Sequence, residues 1–196
     1  MSSLRNSKTI EPRIALKTPD EMTPNERAAY EADPIAQINI GRLLSLAETL
    51  WPKMQETNIA MVTQITVPPV ERELATLATI YLERGAYQIM QHNEVAKMMG
   101  ISLAKVEAIA AERYGDPVFT DRERALLAFT RQVVRAVRVD DQTFAALAQY
   151  YDRRQLVELT FVIGNYMMLA RMTEMAELEI DGTLGATLWH GKLHNQ

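Results

Sequence analysis

Apolar residues recur along most of this chain at three- and four-residue spacing and hardly ever alternate, which is the periodicity of helices that bury one face. Proline interrupts the pattern at Thr23-Pro24, Asp33-Pro34, Pro68-Pro69 and Asp116-Pro117, where its missing N–H suits a first helical turn. The residues between are mostly Ala, Leu, Glu, Arg, Met and Gln, all good helix formers. The pattern predicts an all-α protein with helices over 24–32, 34–49, 52–62, 69–84, 86–99, 103–113, 121–138, 141–150 and 153–179. Local signals agree: Thr120 with Glu123 makes a capping box, Ser102, Asp140 and Asp152 suit N-caps, and Gly100 suits a helix end. Residues 1–20 lack periodicity and read as an N-terminal arm, 21–182 as one helical domain, and 183–196 as a C-terminal tail. An echo at an offset of fifty sets Arg72-Glu73 and Leu77-Ala78 against Arg122-Glu123 and Leu127-Ala128, which suggests two related helical halves on one core.

Composition narrows the chemistry more than the fold. With 196 residues and 47% hydrophobic content the chain can bury a core without a metal or a disulfide. It has no cysteine, so a thiol nucleophile, a CxxC redox pair, a Cys-ligated zinc and an iron–sulfur cluster are all excluded. A net charge of −4 gives no long-range pull toward nucleic acid or anionic lipid. The polar start and the absence of a long uninterrupted apolar run lead us to expect a soluble, cytoplasmic protein with no membrane or nucleic-acid partner.

Of the three histidines, His92 lies in the most periodic stretch, sharing a helical face with Gly85, Gln88, Ile89, Ala96 and Met99. An imidazole there can serve as a general acid or base; the plainer reading is a core histidine satisfied by a hydrogen bond. Glu73 shares a stripe with Leu77, Ile80, Tyr81 and Arg84, where a carboxylate must be paired or protonated. Its plainer reading is a first-turn acid favoured by the helix dipole. On one straight helix the two would stand about 28 Å apart, so they meet only if the chain turns between them, for which Arg84-Gly85 is the natural break.

Other features need less. His190 and His194 have a helical ligand spacing but no third ligand nearby, so no metal site is expected. Met167, Met168, Met172 and Met175 suit core or subunit packing. Residues 94–109 have the spacing of a helix-turn-helix, yet Ser102 to Glu112 offers mainly Ala and Glu with one lysine where a reading helix needs base-contacting side chains.

Val70-Glu-Arg-Glu-Leu-Ala-Thr-Leu-Ala, then Gly85 through Ser102, then Lys105-Val-Glu-Ala-Ile, resembles the carboxymuconolactone decarboxylase family, which includes the alkylhydroperoxidase D-like proteins. Pro12-Arg13-Ile14, Thr23-Pro24, Asn39 and Arg42-Leu43-Leu44, and Gly164 to Arg171 through Asp181-Gly182, extend the resemblance over most of 12–182. It implies the alkylhydroperoxidase D-like helical bundle, a homo-oligomer such as a trimer or hexamer, and sites between helices. In the peroxidase branch a glutamate, two cysteines and a histidine form a relay; the resemblance puts the glutamate at Glu73, the histidine at His92, and the cysteine positions at Gly85 and Gln88. In the decarboxylase branch the segment often reads Tyr-Glu-Trp; here it is Tyr87-Gln88-Ile89, so the histidine stays while the acid and indole do not.

The expectation is a cofactor-free lyase or isomerase acting on a small carboxylated, lactone-like or enolisable compound. His92 delivers the proton, Glu73 fixes its tautomer, Tyr87 and Gln88 orient a carbonyl, and Arg42 or Arg171 holds a carboxylate. The alternative is a non-catalytic binding or scaffold member of the same fold; a helix-turn-helix DNA-binding protein is the remote one.

Overall fold

The computed structural model describes residues 12–188, and among them there is no strand. A 3-10 turn (Pro19–Glu21) leads into α1 (Pro24–Ala32), α2 (Pro34–Gln37), α3 (Asn39–Ser45), α4 (Trp51–Thr63), α5 (Pro69–Glu83), α6 (Ala86–Met98), α7 (Leu103–Ala110), α8 (Asp121–Ala136), α9 (Asp141–Leu147) and α10 (Arg153–Ala176). None is long and apolar enough to cross a membrane.

The caps fall where the local chemistry puts them. The side chains of Ser102, Asp140 and Asp152 accept from the amides of Lys105, Thr143 and Gln155, and Thr120 and Glu123 close a capping box. Gly100, at φ +75°, ends the turn after α6. The stretch 34–49, expected as one helix, is two: the chain breaks at Ile38 (φ −77°, ψ 157°). Gly41 is the reason the pieces fold so tightly, because a Cβ there would lie 2.0 Å from the Ile35 carbonyl oxygen. A distant residue caps the new helix, as the Asn39 amide donates to Asp181 Oδ2 at 2.5 Å.

Helix α5 is the axis of the molecule, packed against α8, α10 and α6. Leu74, Ala75, Leu77, Ala78 and Ile80 are completely buried, as are the hydroxyl-bearing Thr76 and Thr79. A helix buried all round belongs to the interior of a bundle. Phe119, Leu126 and Leu127 of the second half and Leu159 and Ile163 of α10 complete the core. The helix-turn-helix look-alike is part of this packing: Ala96, Val106 and Ile109 are buried, and Lys105 is tied to Glu123 Oε1 at 2.5 Å. Within 183–188, expected as tail, Gly185 and Ala186 are buried, and the Ala186 amide donates to Gln91 Oε1 at 2.9 Å. His190 and His194 lie outside the described residues.

Candidate active site

The corner between α5 and α6 builds the site. The expected break occurs at Arg84-Gly85, but the left-handed residue is Arg84 (φ 60°, ψ 33°), not the glycine. Gly85 is required for space: a Cβ on it would meet the Ala170 Cβ at 2.7 Å and Gln88 Oε1 at 2.9 Å, so α6 starts in contact with α10. From α10, Glu174 accepts the Ala86 amide at 2.8 Å, a tertiary cap for α6. The chain then doubles back, and His92 Nδ1 reaches Glu73 Oε1 at 2.8 Å. One rung away, the Tyr81 hydroxyl donates to Asn93 at 3.0 Å.

Glu73 is no helix cap. It is the fifth residue of α5, past the first turn, and its side chain is 6% exposed. The first-turn acid is Glu71, held by Arg122 at 2.7 Å and by the Tyr151 hydroxyl at 2.7 Å. With Glu73 ionised the carboxylate only accepts, so the imidazole donates from Nδ1 and Nε2 is left to take or give a proton. Nε2 has no partner among the described residues.

His92 lines a cavity with about 70 Å³ in which the centre of a water-sized molecule can sit. Its walls are mainly apolar, including Ile35 and Ile38 from α2 and its end, Trp51 and Met61 from α4, and Val162 and Leu169 from α10. Such a lining with a few placed polar groups is typical of small-molecule sites. Tyr166 of α10 stands edge-on to the imidazole, ring centroids 4.8 Å apart. Burial first, and then the Glu73 charge, push its phenol well above the ordinary range, with Arg72 and the Thr76 hydroxyl acting the other way, so it stays protonated.

The sequence-predicted residues divide. Glu73 and His92 come together. Gln88 lines the cavity and is 2% exposed; its Oε1 accepts from Thr173 at 2.9 Å, while Nε2 is buried without a partner. Tyr87 lines the cavity with its ring only, because its hydroxyl donates to Asp181 at 2.8 Å; burial and that carboxylate push the phenol far up. Arg42 and Arg171 do not line it. Arg42 donates to Asn39 Oδ1 (3.3 Å) and the Lys17 carbonyl (2.9 Å), and Arg171 is 61% exposed and paired with Glu83 at 2.8 Å. Neither lines the cavity, and Arg42 keeps a buried Nε without a partner besides these two bonds.

Arg72, Asn58 and Tyr166 line the cavity and were not singled out from sequence. Only Arg72 carried a signal, as a charged residue beside Glu73 just before the apolar-rich stretch of the same helix. Gln91 closes one end by donating to the Gly182 carbonyl and accepting from Ala186, which brings Gly185 to the rim.

No family model and no curated protein matches the chain. Solved structures do. A peroxidase-related protein from Ralstonia eutropha JMP134 with an alkylhydroperoxidase AhpD core superposes with a TM-score of 0.73 at 15% identity, covering 94% of this chain and 98% of that one. The debrominase Bmp8, as a cysteine-to-alanine variant in complex with 2,3,4-tribromopyrrole, gives 0.66 at 16%, covering 88% and 95%. A protein of unknown function from Agrobacterium tumefaciens, proposed as an AhpD antioxidant defence protein, gives 0.56 at 19%, covering 78% and 94%. The chain therefore has the all-helical alkylhydroperoxidase D-like fold.

Proposed function

We propose that this protein catalyses proton transfer on a small, enolisable ring compound, as a lyase or isomerase of the carboxymuconolactone decarboxylase type. The observation that carries the reading is the His92–Glu73 contact at 2.8 Å on the wall of an apolar cavity. A thiol peroxidase step has no residue to run on, since the chain lacks cysteine. The two positions that hold cysteines in the peroxidase branch are adjacent in space and filled by the Gln88 amide against Gly85.

In an isomerisation, His92 Nε2 takes the proton from a carbon beside a carbonyl. The C–H electron pair passes into the conjugated system as a dienolate, and the imidazolium returns the proton to another carbon. In a decarboxylation His92 starts as the imidazolium, its proton drawn from water; the C–C bond to the carboxylate breaks, CO2 departs, the electron pair forms the dienolate, and the imidazolium protonates carbon. Glu73 stabilises the imidazolium and holds its orientation. Gln88 lines the same cavity, but its unpartnered Nε2 is closed to a water-sized molecule, so its side chain must turn before it can donate to the enolate oxygen. The debrominase complex, in which the same fold holds a small substituted ring, supports a ligand of this size.

The test is isomerisation of a β,γ-unsaturated butenolide to its conjugated isomer, followed by ultraviolet absorbance and by deuterium uptake from heavy water. Wild-type protein should accelerate both, and His92→Gln should retain its helicity yet lose about a hundredfold or more. Equal rates for the two proteins favour the binding-module alternative. Self-association, expected from the resemblance, is part of the proposal: Val157, Phe161, Met168 and Met175 form an exposed apolar stripe along α10. Light scattering on the purified chain reads the mass directly.

A further inference from the structure

Proton transfer leaves one charged group in the cavity unused. Arg72 is 8% exposed, lines the same cavity as His92, and forms no ion pair among the described residues. Its Nη1 donates to the carbonyls of Met61 (3.0 Å) and Val62 (2.8 Å) in the last turn of α4. Those bonds use both Nη1 hydrogens and set the cation at the negative end of a helix, which offsets part of the cost of burying it.

What remains is the Nε and Nη2 edge, which has no partner among the described residues. It presents two near-parallel N–H groups with the spacing of the oxygens of a carboxylate. Arg122, its counterpart in the second half, is paired when the protein itself supplies the anion: its Nη2 donates to Glu71 Oε2 at 2.9 Å, its Nε approaches Glu71 Oε1 at 2.7 Å, and it lies over the Tyr151 ring at 4.6 Å. A buried guanidinium ordinarily has such a partner. At Arg72, which lines the cavity, no carboxylate of the described residues fills that place.

We propose that Arg72 is the specificity-determining anchor for a carboxylate that stays on the ligand, gripped side-on by Nε and Nη2 while the apolar body fills the rest of the cavity. The proposal rests on reading the cavity as a substrate site. It also replaces Arg42 and Arg171, which the fold places elsewhere.

The probes are furan-2-carboxylate and its uncharged isostere furan-2-carboxamide, titrated into the full chain with proton–nitrogen spectra recorded on the arginine Nε–H region. The carboxylate should bind at least about tenfold more tightly than the carboxamide and move the Arg72 Nε–H resonance in a saturable way. Arg72→Lys keeps the charge but not the fork, and should lose most of that preference. Because His92 lines the cavity, His92→Gln can change overall affinity, but the ratio of the two affinities should persist in it, so that a failure of the acid–base reading, seen as retained turnover in that variant, is distinguished from a failure of the anchor. The anchor is overturned if furan-2-carboxylate shows no saturable binding, if the carboxamide binds equally well, or if the resonance does not move. It is likewise overturned if a folded Arg72→Lys protein discriminates as wild type does; if that variant does not fold, the two probes and the wild-type resonance decide.

Discussion

Glu73 and Glu123 stand at equivalent places in the sequence echo, each after an arginine and four residues before a Leu-Ala pair, and both are buried. Their surroundings differ in every respect that matters for chemistry. Glu123 is the third residue of α8; its Oε2 accepts the Thr120 amide at 2.9 Å and its Oε1 the Lys105 ammonium at 2.5 Å. Each of its oxygens is taken by a donor, one on its own capping turn and one on α7, so it holds structure. Glu73 is two residues further into its helix, beyond capping range, and its recorded partner is an imidazole on the wall of a cavity. The same dipeptide is thus a cap in one half and a candidate proton-transfer group in the other. Helix start, set by Pro69 in one case and Thr120 in the other, decides which.

The largest effect expected from this contrast is on turnover. Glu73→Gln should reduce butenolide isomerisation by about a hundredfold or more. Combined with His92→Gln it should reduce it little further, because groups acting as a unit are not additive. A product of the two single losses would break the pairing. Next, Gly85→Ala should lower stability by about 1–3 kcal/mol, since its Cβ must displace Ala170 or Gln88 at the corner that brings Glu73 to His92. Chemical denaturation measures it.

Glu123→Gln should lower stability by about 1 kcal/mol, read as a melting temperature about 2–4 °C lower, and should leave turnover unchanged. Lost turnover would erase the distinction between the two acids. The smallest effect is in pH. Burial raises the Glu123 carboxyl, but Lys105 and the Thr120 amide more than offset this, so its pKa falls below the ordinary 4.5. A depressed carboxyl contributes stability above the unfolded value and loses it as pH falls through the folded one. The stability gap between wild type and Glu123→Gln should therefore be full at neutral pH and close as pH falls from about 5 toward 3.

How much of this was legible in sequence follows the range of the interactions. Caps at Ser102, Thr120, Asp140 and Asp152 are local hydrogen bonds over three residues, and each formed as its sequence required. The meeting of Glu73 and His92 was legible only as a condition, that the chain turn at Arg84-Gly85; the geometry of that corner is set by α10, through Ala170 against Gly85 and Glu174 on the Ala86 amide. The break at Ile38 was not: α3 is capped by Asp181, 142 residues away. For the same reason the hydroxyl of Tyr87, which looked free to hold a carbonyl, is spent on that aspartate. Arg42 and Arg171 looked like carboxylate holders because the resemblance brought their helices together, and residue type says nothing of which neighbour a long side chain reaches first.

Periodicity, capping and the lack of cysteine were enough by themselves to determine an all-helical chain, its main helices, and the exclusion of thiol chemistry, because each depends on residues near in sequence or on composition alone. Tertiary structure alone decided that α2, α3 and residues 183–188 close over the site, that Gln88 keeps a buried unpartnered amide, and that Arg72 rather than Arg42 or Arg171 faces the cavity. Those outcomes depend on which of several competing long-range partners each polar group finds, and that choice is made only when the helices pack.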